Sequence, residues 1–63
     1  DLASGAALLL AAAEGAHLNV RINAGYLTNR QLADGTMQRA DAVLAEIRRH
    51  QEAIAVSVDR MLS

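Results

Sequence analysis

The sequence predicts an all-α protein, an antiparallel two-helix hairpin that assembles into a four-helix or larger bundle. Its 63 residues include no proline, so no position forbids a helix. Beyond Thr36, apolar side chains recur at steps of three and four, which is the spacing of one helix face. Hydrophobic residues make up 52% of the chain, more apolar surface than one hairpin covers with its own two helices. These observations predict a single hairpin domain over residues 1–63 that buries further surface by association.

The first predicted helix spans residues 2–33, with a kink allowed near residue 25. One stripe at helical spacing contains Leu2, Leu9, Ala13, Ala16, Val20 and Leu27. Leu8, Leu18 and Ile22 lie well off that stripe, so the helix is apolar on more than one face. Because one partner helix covers only one face, we expect Leu8, Leu18, Ile22 and the single aromatic residue, Tyr26, to form an interface with another chain.

The second predicted helix spans residues 36–62 and is amphipathic. Its apolar residues approximate a coiled-coil seam in which His50 and Ser57 are the polar members, while most charged residues fall on the opposite side. Closing this stripe on the first helix predicts a hairpin core made of the following residues: Leu9, Val20, Leu27, Val43, Leu44, Ile47, Ile54, Val58 and Met61.

Two segments carry turn signals. Residues 34–36, Asp-Gly-Thr, supply a glycine for a left-handed helix end and a threonine to cap the next helix, and we place the turn there. In the rival segment, Thr28 and Gln31 have the spacing of a capping box, and Leu27 and Leu32 have that of a hydrophobic staple.

Composition argues against several functional classes. The formal net charge is −1, whereas nucleic-acid-binding domains of this size are usually strongly basic. The apolar run over residues 6–13 makes about 12 Å of helix, too short to cross a hydrocarbon core of about 30 Å. There is no cysteine nucleophile or glycine-rich phosphate loop, and no spacing relates the serines to His and Asp neighbours. We therefore expect no enzymatic activity, no cofactor, no nucleic-acid partner and no membrane span.

Metal binding is one alternative function. Glu14 and His17 have the Glu-x-x-His spacing of carboxylate-bridged metal sites in helical bundles. With a turn near residue 35, His17 lies level with Glu52, and a dimer would gather two copies of each residue. However, Glu14 and Glu52 lie more than about 100° from the centres of their apolar stripes. Solvated carboxylates are the competing interpretation, and these three residues are the metal-ligand candidates.

The other alternative begins from a strand, in place of a helix, at residues 17–23. Residues 17–23, His-Leu-Asn-Val-Arg-Ile-Asn, alternate between polar and apolar types, as a half-buried strand does. This segment resembles the DNA-contacting strand of the ribbon-helix-helix family. The resemblance implies a dimeric regulator in which Asn19, Arg21 and Asn23 face the major groove.

The sequence thus favours a protein–protein interaction or oligomerisation module, such as a small structural subunit, an adaptor or a secretion-type co-chaperone. The expected partner is a second copy of the chain or another helical protein. Because the sequence begins with Asp rather than Met, we expect a fragment or a processed chain. We expect it to be soluble and favour the cytoplasm, although the lack of cysteine leaves the compartment undetermined.

Overall fold

The computed structural model describes all residues from Asp1 to Ser63 and contains two helices. Helix α1 spans Leu2–Ala24 and helix α2 spans Arg30–Leu62. A short connection reverses the chain, and the two helices pack against each other along α1. The predicted all-α helical hairpin is confirmed.

Helix α1 begins at a side-chain cap and ends at a glycine. The Asp1 carboxylate accepts a hydrogen bond from the backbone N–H of Ser4 at 2.8 Å, which satisfies one of the free donors of the first turn. At the other end, a Cβ built on Gly25 would lie 3.3 Å from the carbonyl oxygen of Ile22. Gly25 has helical backbone angles, φ −64° and ψ −20°, so a side chain there would press only on the carbonyl oxygen of the preceding turn.

The turn lies at residues 25–29, so its predicted position at 34–36 is wrong. Asn29 is extended, with φ −85° and ψ 108°, and its side chain accepts a hydrogen bond from the N–H of Leu32 at 3.0 Å. Asn29 is thus the N-cap of α2, one residue beyond the threonine of the rival capping box. No glycine has a positive φ, and Gly35 lies inside α2 rather than in a left-handed cap.

Packing between the helices explains why the chain turns at residues 25–29 rather than at residues 34–36. Every buried or half-buried residue of α1 lies on one stripe with steps of three and four: Ala6, Leu10, Ala13, His17, Val20 and Ala24. A matching stripe on α2 runs through Ala33, Met37, Ala40, Leu44, Ile47, Gln51, Ile54 and Val58. We call these two stripes together the inner seam. A turn at 34–36 would break the second stripe near its start, whereas a turn at 25–29 keeps it whole.

The inner seam differs in part from the predicted hairpin core. Val20, Leu44, Ile47, Ile54 and Val58 lie on it. Four other expected core residues are exposed instead: Leu9, Leu27, Val43 and Met61. On α1 three of the six seam residues are alanine, and these small side chains allow α2 to pack closely, while Leu8, Leu9 and Leu18 stay outside the seam.

The predicted strand at residues 17–23 is also wrong, because these residues form the last turns of α1. His17, Val20 and Ala24 face α2 at helical spacing. Contacts along the seam therefore outweigh the local two-residue alternation.

The hairpin is long and thin. It measures 52 × 15 × 9 Å, with a Cα radius of gyration of 15.1 Å. The contact between His17 and Asp41 sets the register and places Leu2 level with Val56, so the last turns of α2 extend past the start of α1. Neither helix combines the length and apolarity needed to cross a membrane.

Candidate interaction surface

The most distinctive surface is the side of α1 that faces away from α2. Leu8 is 72% exposed, Leu18 44% and Ile22 49%. Ala11 and Gly15 complete this row, and a Cβ built on Gly15 would meet nothing within 4 Å. We call the row Leu8, Ala11, Gly15, Leu18 and Ile22 the outer stripe. It has the same three-and-four spacing as the inner seam on the opposite side of the helix, so α1 has two apolar faces.

Two opposite charges border the outer stripe along one edge. Glu14 precedes Leu18 by four residues and Arg21 follows it by three, so all three lie close together on the helix surface. Neither Glu14 nor Arg21 forms an ion pair within the chain, because His17 with Asp41 is the only such pair in the hairpin. The carboxylate and the guanidinium are therefore available to another molecule.

A second apolar surface lies in a groove between the helices. The groove has a volume of about 420 Å³ and is mostly apolar, with Ala16 and Val20 of α1 facing Val43 and Ile47 of α2. Arg39 lies at its edge. Val43 is 57% exposed on this side, so the groove is an open surface rather than part of the core.

The opposite groove is more polar, and Gly15 and Leu18 of the outer stripe lie at its edge. It has a volume of about 580 Å³ and is lined by both charged and small residues, among them Glu14, Arg21 and Arg48. His17 Nε2 lies 2.6 Å from Asp41 Oδ1 in this groove, and the His17 side chain is 18% exposed while that of Asp41 is 64% exposed. A carboxylate beside an imidazole can orient a general base, but no Ser, Thr, Cys or Lys lines the groove to act as a nucleophile.

The proposed metal ligands do not come together. His17 lies level with Asp41, and the same register places Glu52 near Ala6, about 17 Å along the hairpin axis from His17. The predicted alignment of His17 with Glu52 is therefore wrong, because it depended on the turn at 34–36. No three His, Cys, Asp or Glu side chains are grouped closely enough to hold a metal ion.

Tyr26, the fourth expected interface residue, lies in the turn and is 82% exposed. Leu27, the next residue in the turn, is also exposed, at 42%. Sequence patterning located the large members of the outer stripe, but it did not single out Glu14 and Arg21 as a pair. The signal for them is their seven-residue separation, which places them on the same edge of the helix.

The chain matches no family model, no curated protein and no solved structure. Its surfaces are therefore the basis for assigning a function.

Proposed function

We propose that the hairpin is a non-enzymatic protein–protein interaction or oligomerisation module that buries apolar helix faces. In the cell it would serve as a small structural subunit, an adaptor or a secretion-type co-chaperone. Its partner is a second copy of the chain or another helical protein.

The observation that carries this proposal is the excess of exposed surface. The hairpin has an accessible surface of 4950 Å², whereas a compact monomer of 6.7 kDa exposes about 3,900 Å². The difference, roughly 1,000 Å², is comparable to the surface that each partner buries in a standard protein interface, about 800 Å². Association would thus reduce the exposed surface of this chain to about that of a compact monomer of the same mass.

The degree of burial within the chain supports the same proposal. Only Ala24 and Leu44 are buried, and no side chain is completely excluded from solvent. A small scaffold without disulfides or a metal ion commonly obtains its remaining stability by oligomerisation. Contact with a partner would therefore stabilise the fold as well as perform the function.

Neither alternative from the sequence is retained. The DNA-binding interpretation depended on a strand at residues 17–23, where the chain is helical. The metal-binding interpretation depended on bringing His17 and Glu52 together, and the register separates them.

Replacing Leu18 and Ile22 by Ser in one variant tests the proposal. If association stabilises the fold, the melting temperature of the original chain rises with protein concentration, because mass action favours the associated state. We expect the variant to keep its helical circular dichroism at low temperature and to lose most of this concentration dependence. Melting curves recorded by circular dichroism at concentrations from about 5 to 500 μM provide the measurement.

The matched control is Val43→Ser, which alters the apolar groove and leaves the outer stripe intact. A concentration dependence lost in both variants would indicate that both apolar surfaces take part. A melting temperature of the original chain that stays constant over the whole range would contradict the proposal.

A further inference from the structure

Small residues lie between large ones along the outer stripe of α1. Leu18 and Ile22 lie toward its C-terminal end, while Ala11 and Gly15 occupy its middle. The space around Gly15 is open, so the stripe has a depression bordered by projecting side chains. A surface of this shape fits a copy of itself when the copy runs in the opposite direction.

We propose that two copies of this chain dock through their outer stripes, with the two α1 helices antiparallel and Gly15 of one copy against Leu18 of the other. This inference rests on the proposed function and specifies its partner as a second copy. The interface is isologous, so each contact occurs twice around a two-fold axis.

In this register each layer of the interface joins a large side chain to a small residue. Leu18 faces Gly15 of the second copy, Ile22 faces Ala11, and Leu8 faces Gly25 at the end of the helix. Parallel docking would instead place large residues on large ones and small on small. The antiparallel arrangement therefore packs the stripe without leaving gaps or forcing clashes.

Charge complementarity supports the same register. In an antiparallel helix pair centred on these layers, the residues along one edge of each stripe meet across the interface. Glu14 of one copy then faces Arg21 of the second copy, and Arg21 faces Glu14. Both groups lack an ion-pair partner within the hairpin.

The neighbouring registers are disfavoured by the same two residues. Sliding one copy by seven residues in one direction places Glu14 against Glu14 of the second copy. Sliding it in the other direction places Arg21 against Arg21. Like charges facing each other oppose both shifts, so the pair selects one register out of three.

The resulting assembly has its four helices side by side. Because the outer stripe lies nearly opposite the inner seam, the order is α2, α1, α1 of the second copy, α2 of the second copy. The dimer is thus an extended four-helix layer, and its two apolar grooves remain open to further partners.

A charge-reversal series tests this dimer by sedimentation velocity over a range of concentrations. Glu14→Arg alone and Arg21→Glu alone each replace two attractions by two repulsions, and we expect each to weaken dimerisation roughly tenfold. The combined variant Glu14→Arg/Arg21→Glu restores opposite charges, and we expect its dissociation constant to return to within about threefold of the original. Raising the salt concentration should reduce the differences among all four proteins.

Gly15→Leu tests the shape of the interface independently of charge. Gly15 is in the middle of a helix with open space around it, so leucine there favours the helix of the isolated hairpin. In the dimer the new side chain would collide with Leu18 of the second copy. We expect a variant with equal or greater helicity that dimerises at least tenfold more weakly.

Gly5→Leu is the matched control for this substitution. Gly5 also has open space around it and lies in α1, but outside the overlap of the two stripes. It gains the same helix propensity and should dimerise like the original chain.

Two results would overturn the inference. If both single charge reversals leave dimerisation unchanged, or if the combined variant stays as weak as the single ones, Glu14 and Arg21 do not face each other. In either case, a melting temperature that still rises with concentration would leave the proposed function standing with a different interface. A monomer whose melting temperature does not depend on concentration would contradict both.

Discussion

Leu44 is the best-buried large side chain of the hairpin, at 7% exposed, while its neighbour Val43 is 57% exposed. The sequence pattern assigned both residues to the core, because each fits a stripe with steps of three and four. Which of two adjacent residues faces inward depends on how α2 is rotated, and that rotation depends on the residues that α1 presents.

This contrast gives a prediction at the residue scale. Leu44→Ala removes a side chain from the middle of the inner seam, and we expect a loss of about 2–4 kcal/mol in the free energy of unfolding. Val43→Ala changes a partly exposed position, so the expected effect is within about 0.5 kcal/mol. Urea denaturation followed by circular dichroism measures both. Equal losses would contradict the assignment of the seam.

For His17, the sequence predicts the helix face on which the residue lies but not the residue that it contacts. It is the only ionisable side chain in the inner seam, and its position on the same face as Val20 follows from helical spacing. Its partner Asp41 could not be predicted, because the pairing depends on where the chain turns. A shift of the turn by several residues replaces Asp41 by Glu52 as the nearest acid.

At the scale of the helices, local sequence signals did not predict the position of the turn. Both candidate segments contain a glycine and a capping side chain, and each satisfies the rules for ending one helix and starting the next. The choice between them is made by the seam, since only the turn at 25–29 keeps the stripe on α2 continuous from Ala33 to Val58. The amphipathic character of α2 could be predicted because its apolar residues fall on one side. The orientation of α1 could not, because its apolar residues surround it.

Substitutions in the two segments distinguish these turns. Gly35 lies inside α2 with only the flexible end of Arg39 near its Cβ position, so Gly35→Ala should stabilise the hairpin by about 0.5–1 kcal/mol. Asn29→Ala removes the N-cap of α2 and should cost about 1 kcal/mol. Thermal melting at a fixed concentration compares them. If Gly35→Ala is destabilising, the turn lies at 34–36 after all.

At the scale of the whole molecule, a radius of gyration of 15.1 Å compares with about 11 Å for a compact chain of this length. The hairpin itself and its excess of apolar residues could be predicted from composition and periodicity. The arrangement of that excess could not, because it required knowing which face of α1 the inner seam uses. On α1 the seam uses Ala6, Leu10, Ala13, His17, Val20 and Ala24, and this leaves Leu8, Leu18 and Ile22 together on the outside.

In the proposed function, association covers this exposed surface. Static light scattering coupled to size-exclusion chromatography, over injected concentrations from about 10 μM to 1 mM, measures this association. We predict a weight-average molar mass that rises toward at least twice that of the single chain, whose mass is 6.7 kDa. The Leu18→Ser/Ile22→Ser variant should stay near the monomer mass under the same conditions. A helical chain that elutes with the monomer mass at every concentration would contradict the claim.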